Sequence, residues 1–176
     1  MRLQVFDLID ETLLLLEKND TFYHEAEQDI RNIIQTLFQD DREYLLDLNS
    51  RVKSKESLRE KIIRNRFYKE CNQAQDILDQ LSDLIGVTIE CRFIEEEYKA
   101  LSVLRQKLNQ QDENGTYTCP AFPMFHLDVA SHQPQIQKNG FAIYRMDGQY
   151  EKDGCFVNFE LQIKALVHSF WGDIEH

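Results

Sequence analysis

The sequence of 176 residues is poor in the residues that interrupt secondary structure, with three prolines and six glycines. It has no internal repeat and no low-complexity linker, which excludes repeat architectures and tail-like chains. A hydrophobic content of 42% with 29% charged residues is typical of a soluble globular protein. The length fits one domain that is large enough to bury a core.

Other absences narrow the class of protein further. No apolar run approaches the roughly 18 to 20 residues that a bilayer requires, and the acids in MRLQVFDLIDETLLLL argue against a signal peptide. Positive charge is scarce, and a net charge of -11 argues against broad binding to nucleic acid or anionic membranes. The four cysteines form no CxxC pair, which favours reduced cytosolic thiols over a disulfide framework or a zinc site; they are Cys71, Cys91, Cys119 and Cys155.

Apolar periodicity predicts the order of helices and strands. Helical spacing favours helices over 6–16, 22–38, 57–67, 95–110 and 165–176. Apolar and alternating segments predict strands over 43–49, 84–93, 141–146 and 155–163. The segment 111–140, which holds all three prolines, is predicted to be a loop, and 147–154 a turn. Helices that precede a mixed sheet wrapped by further helices indicate an α+β domain.

Positive charge is concentrated in one stretch, SRVKSKESLREK and the residues that follow. Between positions 51 and 69 lie eight of the 20 basic residues. Arg51 and Lys53 point to one side of the end of a predicted strand, and Ser57, Lys61 and Arg64 share a helical face. A solvated helix face is the alternative interpretation. Cations gathered near a helix N-terminus suit a polyphosphate.

Two acidic residues are candidate ligands for Mg²⁺, which binds phosphate together with one or two carboxylates. Asp83 stands immediately before the apolar segment 84–91, and Glu160 lies within the last predicted strand. A buried acid there is costly without a partner. The alternatives are a turn residue for Asp83 and a solvent-facing strand position for Glu160. The run Glu95–Glu97 is interpreted as negative charge in the first turn of a helix.

The motifs resemble those of the RelA/SpoT-type nucleotide pyrophosphokinases over roughly residues 40 to 176. SRVKSKESLREK is similar to the family's Arg-x-Lys-x-x-x-Ser-x-x-x-Lys pattern, DLIGVTI to its Asp-Leu-Ile-Gly strand, and FELQIKALVHSFWGDIEH to its Glu-x-Gln-Ile strand and final helix. The resemblance implies that the ATP-binding residues are Arg51, Lys53, Ser57 and Lys61. It implies that Asp83 and Glu160 are the catalytic and metal-binding carboxylates.

The acceptor loop departs from the family pattern. QKNGFAIYR keeps Asn139 and Gly140 of Lys-x-Asn-Gly-Tyr-x-Ser-x-His, but has Phe141 for the tyrosine, with Ile143 and Arg145 in place of its serine and histidine. Thr88 stands where the family has arginine. A phenylalanine ring still stacks on a base. The resemblance therefore implies acceptor-nucleotide binding by Lys138, Asn139, Phe141, Arg145 and Gln162.

The resemblance also implies a fold and an activity. The expected fold is a nucleotidyltransferase-like synthetase domain at 41–176, truncated at its C-terminus, with a helical segment at 1–40 packed on it. The expected activity is Mg²⁺-dependent transfer of pyrophosphate from ATP to the 3′-hydroxyl of GDP or GTP, in the cytoplasm, by a chain able to form homo-oligomers. The alternatives are transfer to another acceptor such as the 3′ end of tRNA, a catalytically weak guanine-nucleotide-binding module, and an unrelated helical interaction protein.

Overall fold

Two helices open the chain in the computed structural model, which describes residues 2–138, 140–168 and 170. They are α1 (Arg2–Lys18) and α2 (Asp20–Leu37), as the apolar spacing predicts. One face of α2 is buried at helical spacing, which explains why this amphipathic segment packs as a helix on the core. The apolar residues of that face are Tyr23, Ala26, Ile30, Ile33, Ile34 and Leu37.

The later helices are shorter. They are α3 (Lys55–Asn65), α4 (Ala74–Gln80) and α5 (Ile94–Lys107), with 3₁₀ turns at Arg42–Tyr44 and Phe67–Lys69. Helix α1 packs against α3 and α4, whereas α2 and α5 pack on the sheet. Residues 166–168 and 170 are also helical, and the rest of the helix predicted to reach residue 176 lies outside the described residues. Across the described chain, none of the helices combines the length and the apolar character needed to span a membrane.

A mixed sheet lies at the centre of the fold. Its strands are β1 (Asp47–Val52), β2 (Ile85–Cys91), β3 (Gln110–Gln111), β4 (Tyr117–Cys119), β5 (Phe122–Leu127), β6 (Gln135–Ile136), β7 (Ala142–Lys152) and β8 (Cys155–Ala165). The order is β1-β2-β8-β7-β5-β4-β3, and β6 pairs with β7. The pair β2 and β8 is parallel, and the other strand pairs among the described residues are antiparallel. The predicted α+β fold, with a mixed sheet wrapped by helices, is confirmed.

The two central strands have one apolar and one polar face. Because successive side chains of a strand point to opposite faces, alternate residues of β2 and β8 are fully buried against the helices; these are Ile85, Val87, Ile89, Phe159, Leu161 and Ile163. The intervening residues are half-buried on the other face. They are Gly86, Thr88, Glu90, Glu160, Gln162 and Lys164.

The predicted bounds of one strand and of one turn are wrong. The strand expected at 43–49 begins only at Asp47, because 42–44 form a 3₁₀ turn. The turn expected at 147–154 is reduced to Asp153 and Gly154, which have φ of 52° and 74°. Positive φ at both central residues is what a two-residue hairpin turn requires, so β7 and β8 extend through most of the predicted turn.

The segment 111–140 is not a loop throughout, since it contains β4, β5 and β6. Proline argued against strands here because it donates no hydrogen bond to a sheet ladder. Pro123 nevertheless fits into β5: it is exposed, and it lies between the paired positions Phe122 and Phe125. The missing N–H therefore disrupts no pair.

Candidate active site

An open cavity of about 690 Å³ lies against the polar face of the sheet, where β1, β2 and β8 are neighbours. Residues of the loop before α3 complete it. Its walls are formed by Asn49, Ser50, Arg51, Val52, Lys53, Ser54, Ser57, Asp83, Gly86, Val87, Thr88, Glu90, Glu160, Gln162 and Lys164. The sequence therefore places predicted phosphate-binding residues and both predicted catalytic carboxylates around a single cavity.

Strand register explains why distant residues meet here. Arg51 pairs with Gly86, and Gly86 pairs with Glu160 on the next strand. Because glycine has no side chain, Arg51 lies across it, with Cγ 3.8 Å from the position that a Cβ would occupy. The adjacent row of the same face consists of Asn49, Thr88, Gln162 and Arg145.

Asp83 contacts two lysines, Lys53 of the cavity wall and Lys61 of α3; Lys61 is not part of that wall. Lys53 Nζ lies 2.9 Å from Asp83 Oδ2, and Lys61 Nζ lies 2.7 Å from Oδ1. Burial acts to raise the pKa of the Asp83 carboxyl, but the contacts and charges of Lys61 and Lys53 outweigh it and hold the pKa below its ordinary value of 3.8. Asp83 is therefore an ionised carboxylate at neutral pH.

Asp83 also retains accepting capacity. Its Oδ1 is buried and forms the ion pair with Lys61, but it accepts no hydrogen bond from the other described residues. A carboxylate oxygen has more than one lone pair, so this ion pair leaves Asp83 able to accept a further ligand. Asp83 and a second carboxylate line the same cavity, and carboxylates are the ligands that hard divalent cations prefer.

Glu160 is oriented by neighbours on two strands. Gln162, two residues further along β8, donates a hydrogen bond from Nε2 to Glu160 Oε1 at 2.5 Å. Arg145 on β7 places Nε 3.7 Å from Glu160 Oε2. The Glu160 side chain is only 14% exposed. Both carboxylate oxygens therefore have a polar neighbour at the edge of the cavity.

The N-terminus of α3 opens onto the cavity. Ser54 caps it, because its Oγ accepts a hydrogen bond from the Ser57 N–H at 3.2 Å. The Ser54 hydroxyl also donates to Ser57 Oγ at 3.2 Å, and both serines line the cavity. The partial positive charge at this helix end adds to that of the lysines and favours an anion.

The predicted acceptor residues divide into two groups. Arg145 and Gln162 contact Glu160. Lys138 and Phe141 instead lie at the tip of the β6–β7 hairpin and form no part of the cavity wall. Asn139 lies outside the described residues.

The hairpin tip is closed by backbone hydrogen bonds. Gln137 N–H donates to Phe141 O at 2.8 Å, and Gly140 N–H donates to Gln137 O at 2.9 Å. Gly140 has φ of 85°, a conformation that glycine adopts without strain. Lys138 is exposed, and the Phe141 side chain is 43% exposed. The tip presents a cation and an aromatic ring beside the strand that carries Arg145.

Sequence reasoning missed several residues of the cavity wall. Asn49 precedes Arg51 by two positions on β1, and Lys164 follows Gln162 by two on β8, so strand alternation could have found both. The N-cap signal of Ser54 was also available from the sequence. Glu90 follows Thr88 by two positions on β2, so the same alternation applies to it.

The fold and the cavity define an α+β domain in which two carboxylates lie beside cationic groups. The family model described as the region found in RelA / SpoT proteins matches residues 50–176, more than half of the chain. The chain therefore belongs to the RelA/SpoT family.

A curated relative agrees with this assignment. The GTP pyrophosphokinase YwaC of Bacillus subtilis is 27% identical over 132 residues, which are 72% of this chain. The match covers 54% of YwaC, so the chain spans about half the length of this relative.

Solved structures share the fold. The small alarmone synthetase 1 of Bacillus subtilis bound to its product pppGpp superimposes with a TM-score of 0.64 at 22% identity, over 92% of this chain and 79% of that one. The same synthetase bound to AMPCPP gives a TM-score of 0.59 at 22% identity, over 91% and 76% of the two chains. At this identity the likeness establishes the fold.

Proposed function

We propose that this chain transfers pyrophosphate from ATP to the 3′-hydroxyl of GDP or GTP and thereby makes guanosine tetra- or pentaphosphate. The observation that carries the proposal is the cavity lined both by Asp83, which contacts two lysines, and by Glu160 of the polar sheet face. Membership of the RelA/SpoT family and the similarity to YwaC, a GTP pyrophosphokinase, support it. The alternatives of a tRNA acceptor and of a weak binding module receive no support from these comparisons.

ATP binds in this proposal through its phosphates. Arg51 lies across Gly86, and Lys53 and Lys61 present ammonium groups from two sides of Asp83. Ser57 adds a hydroxyl at the N-terminus of α3. Charge-assisted hydrogen bonds from these groups neutralise the triphosphate, and their placement before binding reduces the cost of ordering them.

Mg²⁺ fits the carboxylates. Asp83 Oδ1 accepts no hydrogen bond from described residues other than its ion-pair partner Lys61, and Glu160 lines the same cavity. Two protein carboxylates together with phosphate oxygens are a donor set that Mg²⁺ accepts. When bound, the ion supplies charge neutralisation at the phosphates.

Glu160 is proposed as the base. The acceptor 3′-oxygen forms a bond to the β-phosphorus of ATP, the bond from that phosphorus to the oxygen bridging the α-phosphate breaks, and AMP leaves. Glu160 takes the proton of the attacking hydroxyl, while Gln162 and Arg145 hold its carboxylate. Positioning and charge stabilisation supply most of the acceleration.

The acceptor nucleotide is assigned to the side of the cavity next to β7. Phe141 supplies a ring for stacking on guanine, and Arg145 supplies a fixed positive charge for a phosphate. Gln162 completes this side beside Glu160. Lys138 lies at the adjacent hairpin tip, and Asn139 is included on the resemblance of its motif alone.

The test is a transfer assay with ATP labelled in its γ-phosphate and a panel of acceptors, namely GDP, GTP, GMP and bulk tRNA. We expect label in products of GDP and GTP, less with GMP because it offers Arg145 fewer phosphate charges, and none with tRNA. Glu160→Gln is the control for contaminating activity. Label appearing in tRNA would favour the alternative acceptor, and transfer to none of the four would reject the proposal.

A further inference from the structure

The edge of β7 that faces away from β8 lacks a strand partner at Arg145. On this edge β5 pairs with β7 at residues 148–150, and β6 pairs with it at residues 142–143. Arg145 lies in the gap between these two pairings. Arg145 is exposed, so either water or another group can satisfy its backbone N–H and C=O in this gap.

The side chain of Gln133 fills the gap. The Arg145 N–H donates to Gln133 Oε1 at 3.0 Å, and Gln133 Nε2 donates to the Arg145 carbonyl at 2.6 Å. One carboxamide therefore makes the pair of hydrogen bonds that a neighbouring strand residue would exchange. Gln135 Nε2 donates to the same carbonyl at 3.0 Å. Three hydrogen bonds thus fix the backbone of Arg145.

The segment that carries Gln133 is itself anchored. Gln133 Nε2 also donates to Ser131 Oγ at 3.1 Å, and the Ser131 N–H donates to Asp128 Oδ1 at 3.1 Å. Arg105 on α5 donates from Nε to the Val129 carbonyl at 2.8 Å. The amide of Gln133 is therefore held by contacts that lead back to a helix of the core.

We propose that Gln133 is a positioning residue for the reaction. It fixes the backbone of Arg145 and so keeps the guanidinium beside Glu160, where Nε lies 3.7 Å from Oε2. The inference rests on the proposed function, in which Glu160 takes the acceptor proton. Small displacements of reacting groups cost on the order of a hundredfold in rate. Loss of the hydrogen bonds between Gln133 and Arg145 therefore lowers turnover, although Gln133 itself contacts no nucleotide.

The test compares Gln133→Ala and Gln133→Glu with wild type in the transfer assay. The glutamate keeps an oxygen for the Arg145 N–H but places a second oxygen against the Arg145 carbonyl. We expect kcat with GDP to fall by about tenfold in both variants, while the KM for ATP stays unchanged. Gln149→Ala is the matched control, because Gln149 lies on β7 with Arg145 but bonds to Asn158 instead. We expect this control to keep the wild-type kcat.

A double-mutant cycle distinguishes positioning from a general structural role. If Gln133 acts through Arg145, Gln133→Ala has no further effect on kcat in an Arg145→Ala background. Hydrogen exchange at the Arg145 amide is expected to be faster in Gln133→Ala, with the thermal unfolding midpoint close to that of Gln149→Ala.

The failures are distinguishable. An active wild type with unchanged kcat in both Gln133 variants, or an effect that persists in the Arg145→Ala background, overturns the positioning role alone. A wild type that transfers pyrophosphate to no acceptor rejects the proposed function, and the positioning role is rejected with it.

Discussion

Lys61 Nζ lies 2.7 Å from Asp83 Oδ1, while Lys53 approaches the other oxygen of the same carboxylate at 2.9 Å. Two ammonium groups this close would repel each other without the intervening negative charge. The carboxylate therefore holds both ammonium groups close together, with Lys53 in the cavity wall. The same contacts make Asp83 a contributor to stability.

Asp83→Asn should lower the free energy of unfolding at neutral pH, because it leaves two half-buried lysines without their counter-charge. The folded-state pKa of Asp83 lies below 3.8, so the stability that its charge contributes is present above that value. It is lost as the pH falls from 3.8 through the folded pKa. Denaturant titrations at decreasing pH should show that the difference in the free energy of unfolding between wild type and variant becomes smaller.

The exposed pair of Lys55 and Glu17, at 2.8 Å, provides the control for this prediction. Glu17→Gln should change the free energy of unfolding by less than about 1 kcal/mol, because exposed ion pairs are well solvated. A difference between wild type and Asp83→Asn that stayed constant down to the lowest pH would show that Asp83 is not the titrating group.

Glu160→Gln should lower turnover by on the order of a hundredfold or more, with nucleotide binding largely retained. The amide preserves the shape and the Oε1 acceptor for Gln162 but has no charge to take a proton. Transfer assays give turnover, and calorimetry gives binding. Glu151→Gln, an exposed position on the neighbouring strand, is the control. Near-normal turnover in Glu160→Gln would remove this residue from the chemistry.

Phe141→Ala should remove about 1 to 3 kcal/mol of affinity for the acceptor nucleotide, as expected for loss of base stacking. ATP affinity should be nearly unchanged, because Phe141 lies outside the wall of the phosphate cavity. Phe156→Ala, at an exposed phenylalanine of β8, is the matched control. If Phe141→Ala weakened ATP and GDP binding equally, or weakened neither, the hairpin tip would not be an acceptor site.

Gly148→Ala tests packing at the centre of the sheet. A Cβ on Gly148 would lie 2.3 Å from Cζ of Phe159, which is fully buried. We expect a loss of about 1 to 3 kcal/mol in the free energy of unfolding, because the ring must move. At Gly86 the nearest atom to an added Cβ is 3.8 Å away, so Gly86→Ala should be much milder. Similar losses in the two variants, measured by denaturant unfolding, would contradict the steric explanation.

The proximity of Lys53, Lys61 and Asp83 could be predicted from motif spacing, since Lys53 follows β1, Lys61 lies on α3 and Asp83 precedes β2. The acceptor side of the site was harder to predict from the sequence. That Arg145 reaches Glu160 depends on the β7–β8 register, which in turn depends on a two-residue turn that was predicted to be eight residues long. Gln133 uses its side chain to make the hydrogen bonds of a strand partner. Such a residue belongs to no periodic sequence pattern, so it could not be predicted from the sequence.

The run Glu95–Glu97 shows the same limit. Glu96 does accept from the backbone N–H groups of Arg92 and Phe93, as negative charge at a helix start should. Glu97 instead is buried, and its Oε1 contacts the Ala165 N–H at 2.6 Å and His168 Nδ1 at 2.7 Å. Identical neighbouring residues have different roles because only one faces the end of β8.

The position of β8 in the sheet determines the order in which the parts of the cavity can form during synthesis. It is the last strand of the described residues, yet it lies between β2 and β7 in the middle of the sheet. Lys53, Lys61 and Asp83 are therefore synthesised well before Glu160. Long-range parallel pairing forms slowly, so the contacts of Asp83 with the two lysines can form first, and Glu160 joins the cavity only when β8 inserts between its neighbours.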